Sequence, residues 1–209
     1  METIKREPIF NLPPTTLILL FALCVVHVSV TMFDLDITFF VFQPAAFGAA
    51  PFATQNLATL ITYQFFHASW LHLGVNAGML LAFGSAMERM TGPIWFPILY
   101  LICGVIAALA QFLVIPDSGA AILGASGAIS GAMGFVLWHV MRRPKMRMQL
   151  ILLMVIVQPI MALAAGISLG GEIAWVAHLA GFIAGIIIAF CWPRHLSSIA
   201  IGPDPRPTD

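Results

Sequence analysis

The chain contains several apolar runs long enough to cross a lipid bilayer, and a chain that does so is confined to structures that satisfy their own backbone polar groups. A transmembrane helix needs about 20 mainly apolar residues, with a range of about 17 to 25. Runs of this kind cover roughly Thr15–Phe33, Leu71–Glu88, Ile94–Val114, Ser126–Met141, Met148–Gly166 and Trp175–Trp192. The stretch Ile37–Ala50 is also apolar, but Pro44 and Pro51 interrupt it, and it is too short to span. It reads as a partly embedded loop. Only 9% of residues are charged, against about a quarter in a soluble domain. The lipid bilayer is the main solvent.

Charge gives an orientation. With the N-terminus inside, six spans place the N-terminal segment, Arg89–Pro93, Arg142–Arg147 and everything after Trp192 on the inner side. Those segments hold Lys5, Arg6, Arg89, Arg142, Arg143, Lys145, Arg147, Arg194 and Arg206, which are all 9 basic residues of the chain. The outer segments hold Asp34, Asp36, Asp117 and Glu172. This is the asymmetry of the positive-inside rule. Trp70 and Trp175 fall at outer boundaries, and Trp95, Trp138 and Trp192 at inner ones, as an aromatic belt would. The reading is a multi-pass protein of the cell membrane with both termini cytoplasmic and an uncleaved first helix. The net charge of +0 points to no nucleic-acid partner. Cys24, Cys103 and Cys191 lie in apolar stretches and read as small hydrophobic side chains.

Polar side chains inside spans are costly and are functional candidates by default. Those singled out are His72 and Asn76 in the second span, Ser126 and Ser130 in the fourth, and His178 in the sixth. Ser126 lies 16 residues before Arg142, His178 lies 16 before Arg194, and His72 lies 17 before Arg89. At about 1.5 Å per residue, all three stand ~24–26 Å above the inner face, near the outer edge of a core about 30 Å thick. Asn76 sits one turn deeper on the face of His72. Gly127, Gly131 and Gly134 on the fourth span, with Gly181 and Gly185 on the sixth, are small-residue faces that let two backbones approach closely. Such a crossing brings Ser126 to His178, a nucleophile to its general base. His72 and Asn76 would then be donors to an oxyanion.

These residues resemble the motifs of the rhomboid protease family. His72-Leu-Gly-Val-Asn76 is similar to its H-x-x-x-N motif and Gly124-Ala-Ser126-Gly127 to its G-x-S-G motif. Ala177-His178-Leu-Ala-Gly181-Phe-Ile-Ala-Gly185 is similar to its A-H-x-x-G-x-x-x-G motif. Gly84, Glu88 and Gly92 follow a further family spacing, and His67 fits a frequent second histidine. The resemblance covers roughly residues 60 to 190. It implies an all-α, six-helix rhomboid-like bundle, and the spans, charges and Pro- and Asp-rich end divide the chain into a cytoplasmic segment over 1–14, a catalytic domain over 15–196 and a disordered cytoplasmic tail over 197–209. It implies an intramembrane serine endopeptidase with Ser126 as nucleophile, His178 as base and no third acid. His72, Asn76 and the Ser126 N–H would form the oxyanion hole. The substrates would be transmembrane proteins cut near the outer face, with no metal and no cofactor. Two positions depart from the pattern: residues 34–57 lack the family's Trp-Arg pair, and Ser130 stands where many members carry an aromatic residue against the base.

Other readings compete. Taken alone, Ser126 reads as a helix N-cap, and beside His178 at matched depth it reads as a nucleophile. His178, or His72 with Asn76, can also serve as interhelical hydrogen-bonding groups. Ser130 reads as a packed or back-bonded residue, His27 as packed or outer-facing, His139 and His195 as solvated, and Glu88 with Arg89 as an inner-face charged cap. The alternative function is a non-catalytic rhomboid-like protein that binds membrane clients. A transporter would need a polar track running inward. A zinc site from His67, His72 and His178 has no carboxylate or cysteine at that level.

Overall fold

A computed structural model describes residues 12–141 and 175–193. The expected span Met148–Gly166, the basic segment Arg142–Arg147, residues 1–11, and the region from 194 through the tail lie outside the described residues. Within them the chain is helical: α1 (Pro14–Phe33), α2 (Pro44–Ala49), α3 (Thr54–Thr62), a 3-10 turn (Tyr63–Phe65), α4 (Trp70–Met79), a π-helical turn (Leu80–Gly84), α5 (Ser85–Thr91), α6 (Trp95–Val114), α7 (Ser126–Met141) and α8 (Trp175–Cys191). Among the described residues, three helices are long and apolar enough to cross a membrane: Pro14–Phe33, the continuous Trp70–Thr91, and Trp95–Val114. α7 and α8 are shorter apolar helices of 16 and 17 residues.

α7 is the centre of the fold. Every residue from Ser126 to Leu137 is buried, and the helix packs mainly on α8 and α6. Lipid would receive an apolar helix equally well, so this enclosure follows from its small residues, which let neighbours pack closely. Its glycines set the distance. A Cβ on Gly181 would collide with the Gly127 carbonyl, one on Gly185 with the Gly131 carbonyl, and one on Gly134 with the Phe182 carbonyl. On the other flank, a Cβ on Gly127 would stand 2.7 Å from that of Ala107 on α6, and one on Gly131 would overlap Cys103. Backbone therefore touches backbone between α7 and α8, while α6 fills the remaining side.

The loop between α1 and α4 is more ordered than an irregular embedded segment. Pro44, read from the sequence as an interruption, instead starts α2 at its first position, where a missing N–H costs nothing. Phe42 and Ile122 exchange two backbone hydrogen bonds, of 3.0 and 2.7 Å, tying this loop to the segment that leads into α7. At its start, Asp36 accepts from the Thr38 hydroxyl and N–H, which holds its carboxyl below the usual range.

Glu88 corrects the sequence reading. It is not a surface charge but is 3% exposed, with its carboxyl turned onto the start of α1. Oε1 accepts from Thr15 N–H at 3.0 Å; Oε2 accepts from Thr16 N–H at 2.6 Å and from the Thr16 hydroxyl at 2.7 Å. The physical reason is that α1 opens on Pro13–Pro14 with no side-chain cap of its own. Its first N–H groups are orphan donors, and a residue 72 positions away supplies the acceptor. Glu88→Ala strands those donors and should lower unfolding free energy by about 2–4 kcal/mol. Glu88→Gln, which keeps one acceptor oxygen, should lose less. Equilibrium unfolding in mixed micelles measures both, and equal stability of Glu88→Ala and wild type would contradict the capping role.

Candidate active site

His72, Ser126 and His178 each sit in the first turn of their helix, with Asn76 one turn further along α4. Ser69 caps α4, its hydroxyl accepting from the His72 N–H at 3.1 Å, so His72 is the third residue of that helix. Ser126 is the first residue of α7. Before it, Gly124 takes φ +123°, a conformation that side chains rarely adopt, and its N–H donates to the Tyr63 carbonyl at 3.0 Å. His178 is the fourth residue of α8.

The structure brings these residues together. Ser126 Oγ and His178 Nε2 are 2.7 Å apart, and the two residues are 9% and 5% exposed. With the imidazole neutral and Nε2 bare, the hydroxyl donates. His72 reaches the same place from α4. The point where a Gly124 Cβ would stand is 2.8 Å from His72 Cε1, 2.9 Å from His72 Nε2 and 3.7 Å from Ser126 Oγ. Gly124 thus leaves the gap that lets the His72 ring lie beside the Ser126 hydroxyl. Asn76 is buried one turn below, and its Nδ2 donates to the His72 carbonyl at 3.1 Å.

Hydrogen-bonding capacity remains unused here. Among the described residues, both ring nitrogens of His72 and Oδ1 of Asn76 are buried with no hydrogen-bond partner. The His67 ring lies 5.1 Å from the His72 ring, and the His27 ring 6.4 Å from His67 and 4.6 Å from Trp70. His27 is therefore packed inside, and His67 is buried rather than interfacial. His139 rests on its own helix, Nδ1 at 3.0 Å from the Phe135 carbonyl and half-buried rather than fully solvated. Ser130 is wholly buried, with no hydrogen-bond partner for its hydroxyl among the described residues. Among the described residues, no three His, Cys, Asp or Glu side chains are arranged to hold a metal ion. The site contains a hydroxyl, a base poised on it, and polar groups with free capacity alongside, which are the parts needed for acyl transfer.

Two supporting residues escaped the sequence reading. Tyr63, 1% exposed, accepts the Gly124 N–H on its carbonyl and donates its hydroxyl to the Gly104 carbonyl at 2.8 Å. Gln111 on α6, 4% exposed, accepts from the Ala177 N–H at 3.1 Å. Gln111 was findable, as a polar side chain within the span Ile94–Val114. Tyr63 left no signal, because its role lies partly in its main chain.

Comparison with known proteins places these features in a family. A family model described as the Rhomboid domain matches residues 54–195. The chain is 34% identical over 130 residues to "Rhomboid protease GluP" of Bacillus subtilis, covering 62% of this chain and 25% of that protein. It is 33% identical over 132 residues to "Putative rhomboid protease YdcA" of Bacillus subtilis, covering 63% and 65%. It is also 30% identical over 79 residues to "Inactive RHOMBOID-like protein 8" of Arabidopsis thaliana, covering 35% and 22%. In each case the match spans less than two thirds of the relative's length.

Gly124→Ala should destabilise the protein by about 1–3 kcal/mol through backbone strain and push His72 aside. Gly119, whose Cβ would meet open space, should accept Ala with little change. Thermal unfolding of the two variants checks the contrast.

Proposed function

The chain belongs to the rhomboid family, and from that premise we propose that it is an intramembrane serine endopeptidase working by a Ser126–His178 dyad. The observation that carries the proposal is the 2.7 Å approach of Ser126 Oγ to His178 Nε2 at the buried crossing of α7 and α8. Ser126 Oγ attacks the scissile carbonyl carbon as its proton passes to His178 Nε2. The carbonyl oxygen becomes an oxyanion. The tetrahedral intermediate collapses, the C–N bond breaks, and His178 returns the proton to the leaving amine. Water then repeats the sequence on the acyl-enzyme, and Ser126 regains its hydrogen.

The oxyanion is received by the Ser126 N–H, by a neutral His72 and by Asn76. The first turn of α7 favours this, because the leading N–H groups of a helix are unspent donors with positive partial charge. The His72 ring, whose nitrogens have no hydrogen-bond partner among the described residues, supplies one further N–H. Preorganised donors in a water-poor site are worth about 10²–10³ in rate each.

The remaining parts follow from the same reading. Substrates are transmembrane proteins, cut near the outer face where the three first turns lie. The bundle has six spans in the cell membrane with both termini cytoplasmic, a topology that puts all 9 basic residues inside. A green fluorescent protein joined after Asp209 should therefore fluoresce, whereas alkaline phosphatase in that position should stay inactive. The reverse pattern would overturn the orientation. Similarity to a relative named as inactive keeps the client-binding function as the second reading.

A fluorophosphonate probe separates the two without knowledge of the substrate. Purified wild type and Ser130→Ala should label, Ser126→Ala should not, and His178→Ala should label at least ~10²-fold more slowly. His72→Ala should slow labelling by about 10²-fold. Folded wild type that takes no label favours client binding, and label retained by Ser126→Ala puts the nucleophile elsewhere.

A further inference from the structure

We infer that Gln111 is a positioning residue for the base, fixing the first turn of α8 so that His178 meets Ser126. The inference rests on the Ser–His reading above. The constraint behind it is general: the first N–H groups of a helix have no partner within it, and inside a membrane no water supplies one. Ala177, the third residue of α8, carries such an N–H. It donates to Gln111 Oε1 at 3.1 Å, from a residue 66 positions back in the chain, in the last turn of α6.

The bond has leverage because of what lies on either side of Ala177. Its carbonyl is 3.9 Å from the point where a Gly127 Cβ would stand, so its other face rests on α7. Ala177 is thus held between α6 and α7, directly before the histidine. One turn further on, Gly181 touches the Gly127 carbonyl, and another turn on, Gly185 touches the Gly131 carbonyl. Those contacts fix how near α8 lies to α7. A glycine against a carbonyl carries no strong directional hydrogen bond, so these contacts set the separation of the helices more than the orientation of the first turn of α8. The Gln111 bond is directional and sits at the catalytic end. Gln111 itself is braced there, its carbonyl accepting from the Ile115 N–H at 2.9 Å. Without it, the Ala177 N–H would seek another acceptor, and the first turn of α8 would shift to find one.

The test uses the full chain in detergent and the rate of fluorophosphonate labelling, resolved into kinact and KI. Gln111→Met keeps the length and apolar stem but has no acceptor. Gln111→Glu keeps an acceptor oxygen at the same reach. Gln111→Met should still label to full stoichiometry, with kinact lowered about 10–100-fold and KI unchanged, the signature of a displaced base. Gln111→Glu should stay within about threefold of wild type. A wild-type kinact for Gln111→Met overturns the inference, as does a Gln111→Glu variant equally slow. A loss of labelled fraction at unchanged kinact overturns it too, since that marks a purely structural role. If Gln111→Met does not fold, Gln111→Asn replaces it: one methylene too short to reach Ala177, it should show the same lowered kinact, and a wild-type value overturns the inference. Folded wild type that takes no label overturns the Ser–His reading, and this inference with it. A labelled wild type with indifferent Gln111 variants overturns this inference alone.

Discussion

Two carbonyl groups, those of Gly127 and Gly131, govern how the rest of this molecule can be arranged. Gly181 and Gly185 lie directly against them, so α7 and α8 approach until main chain meets main chain. In lipid, apolar side chains gain little by leaving one apolar medium for another, and close packing carries the association. A methyl group at any of these four positions would have to push a helix away or displace a neighbour. The hydrogen bond between Ser126 and His178 lies one turn from the first of these contacts, and it requires the close approach that the glycines allow.

Much of this was legible in the sequence because lipid makes polar residues conspicuous. Ser126, His178, His72 and Asn76 stood out within apolar runs, and counting residues from basic anchors put three of them at one level. The structure places those three in the first turn of their helices. The glycine spacing pointed to the α7–α8 contact. What the sequence hid was the direction of side chains and the identity of distant partners. Glu88 beside Arg89 looks like a surface pair, and only the folded chain shows its carboxyl facing the uncapped end of α1. Pro44 reads as a breaker unless one knows that a helix begins there. α3 is only nine residues long, well short of a span, and a search for membrane-crossing runs passes over it.

Polar groups are divided between those the fold satisfies and those it leaves open. Glu88, Gln111, Ser69 and Tyr63 each supply a hydrogen bond to backbone at a helix end, in a turn or across to a neighbouring helix. The His72 ring nitrogens, by contrast, have no hydrogen-bond partner among the described residues, and that ring lies beside the Ser126 hydroxyl across the gap left by Gly124. Other buried polar groups, Ser130 and Tyr100 among them, also lack a partner among the described residues, so the position of His72 rather than its lack of a partner gives it chemical meaning.

The π-helical turn at Leu80–Gly84 has a consequence for how one helix serves two masters. His72 and Glu88 are 16 positions apart, which in a regular α-helix sets them ~160° around the axis from one another. A wide turn accommodates about one extra residue without advancing the winding, and this reduces the offset to roughly 60°. The upper and lower halves of the continuous helix Trp70–Thr91 are thereby phased separately, like two dials on a shared shaft. The half that carries His72 can thus face the candidate site while the half that carries Glu88 faces the start of α1.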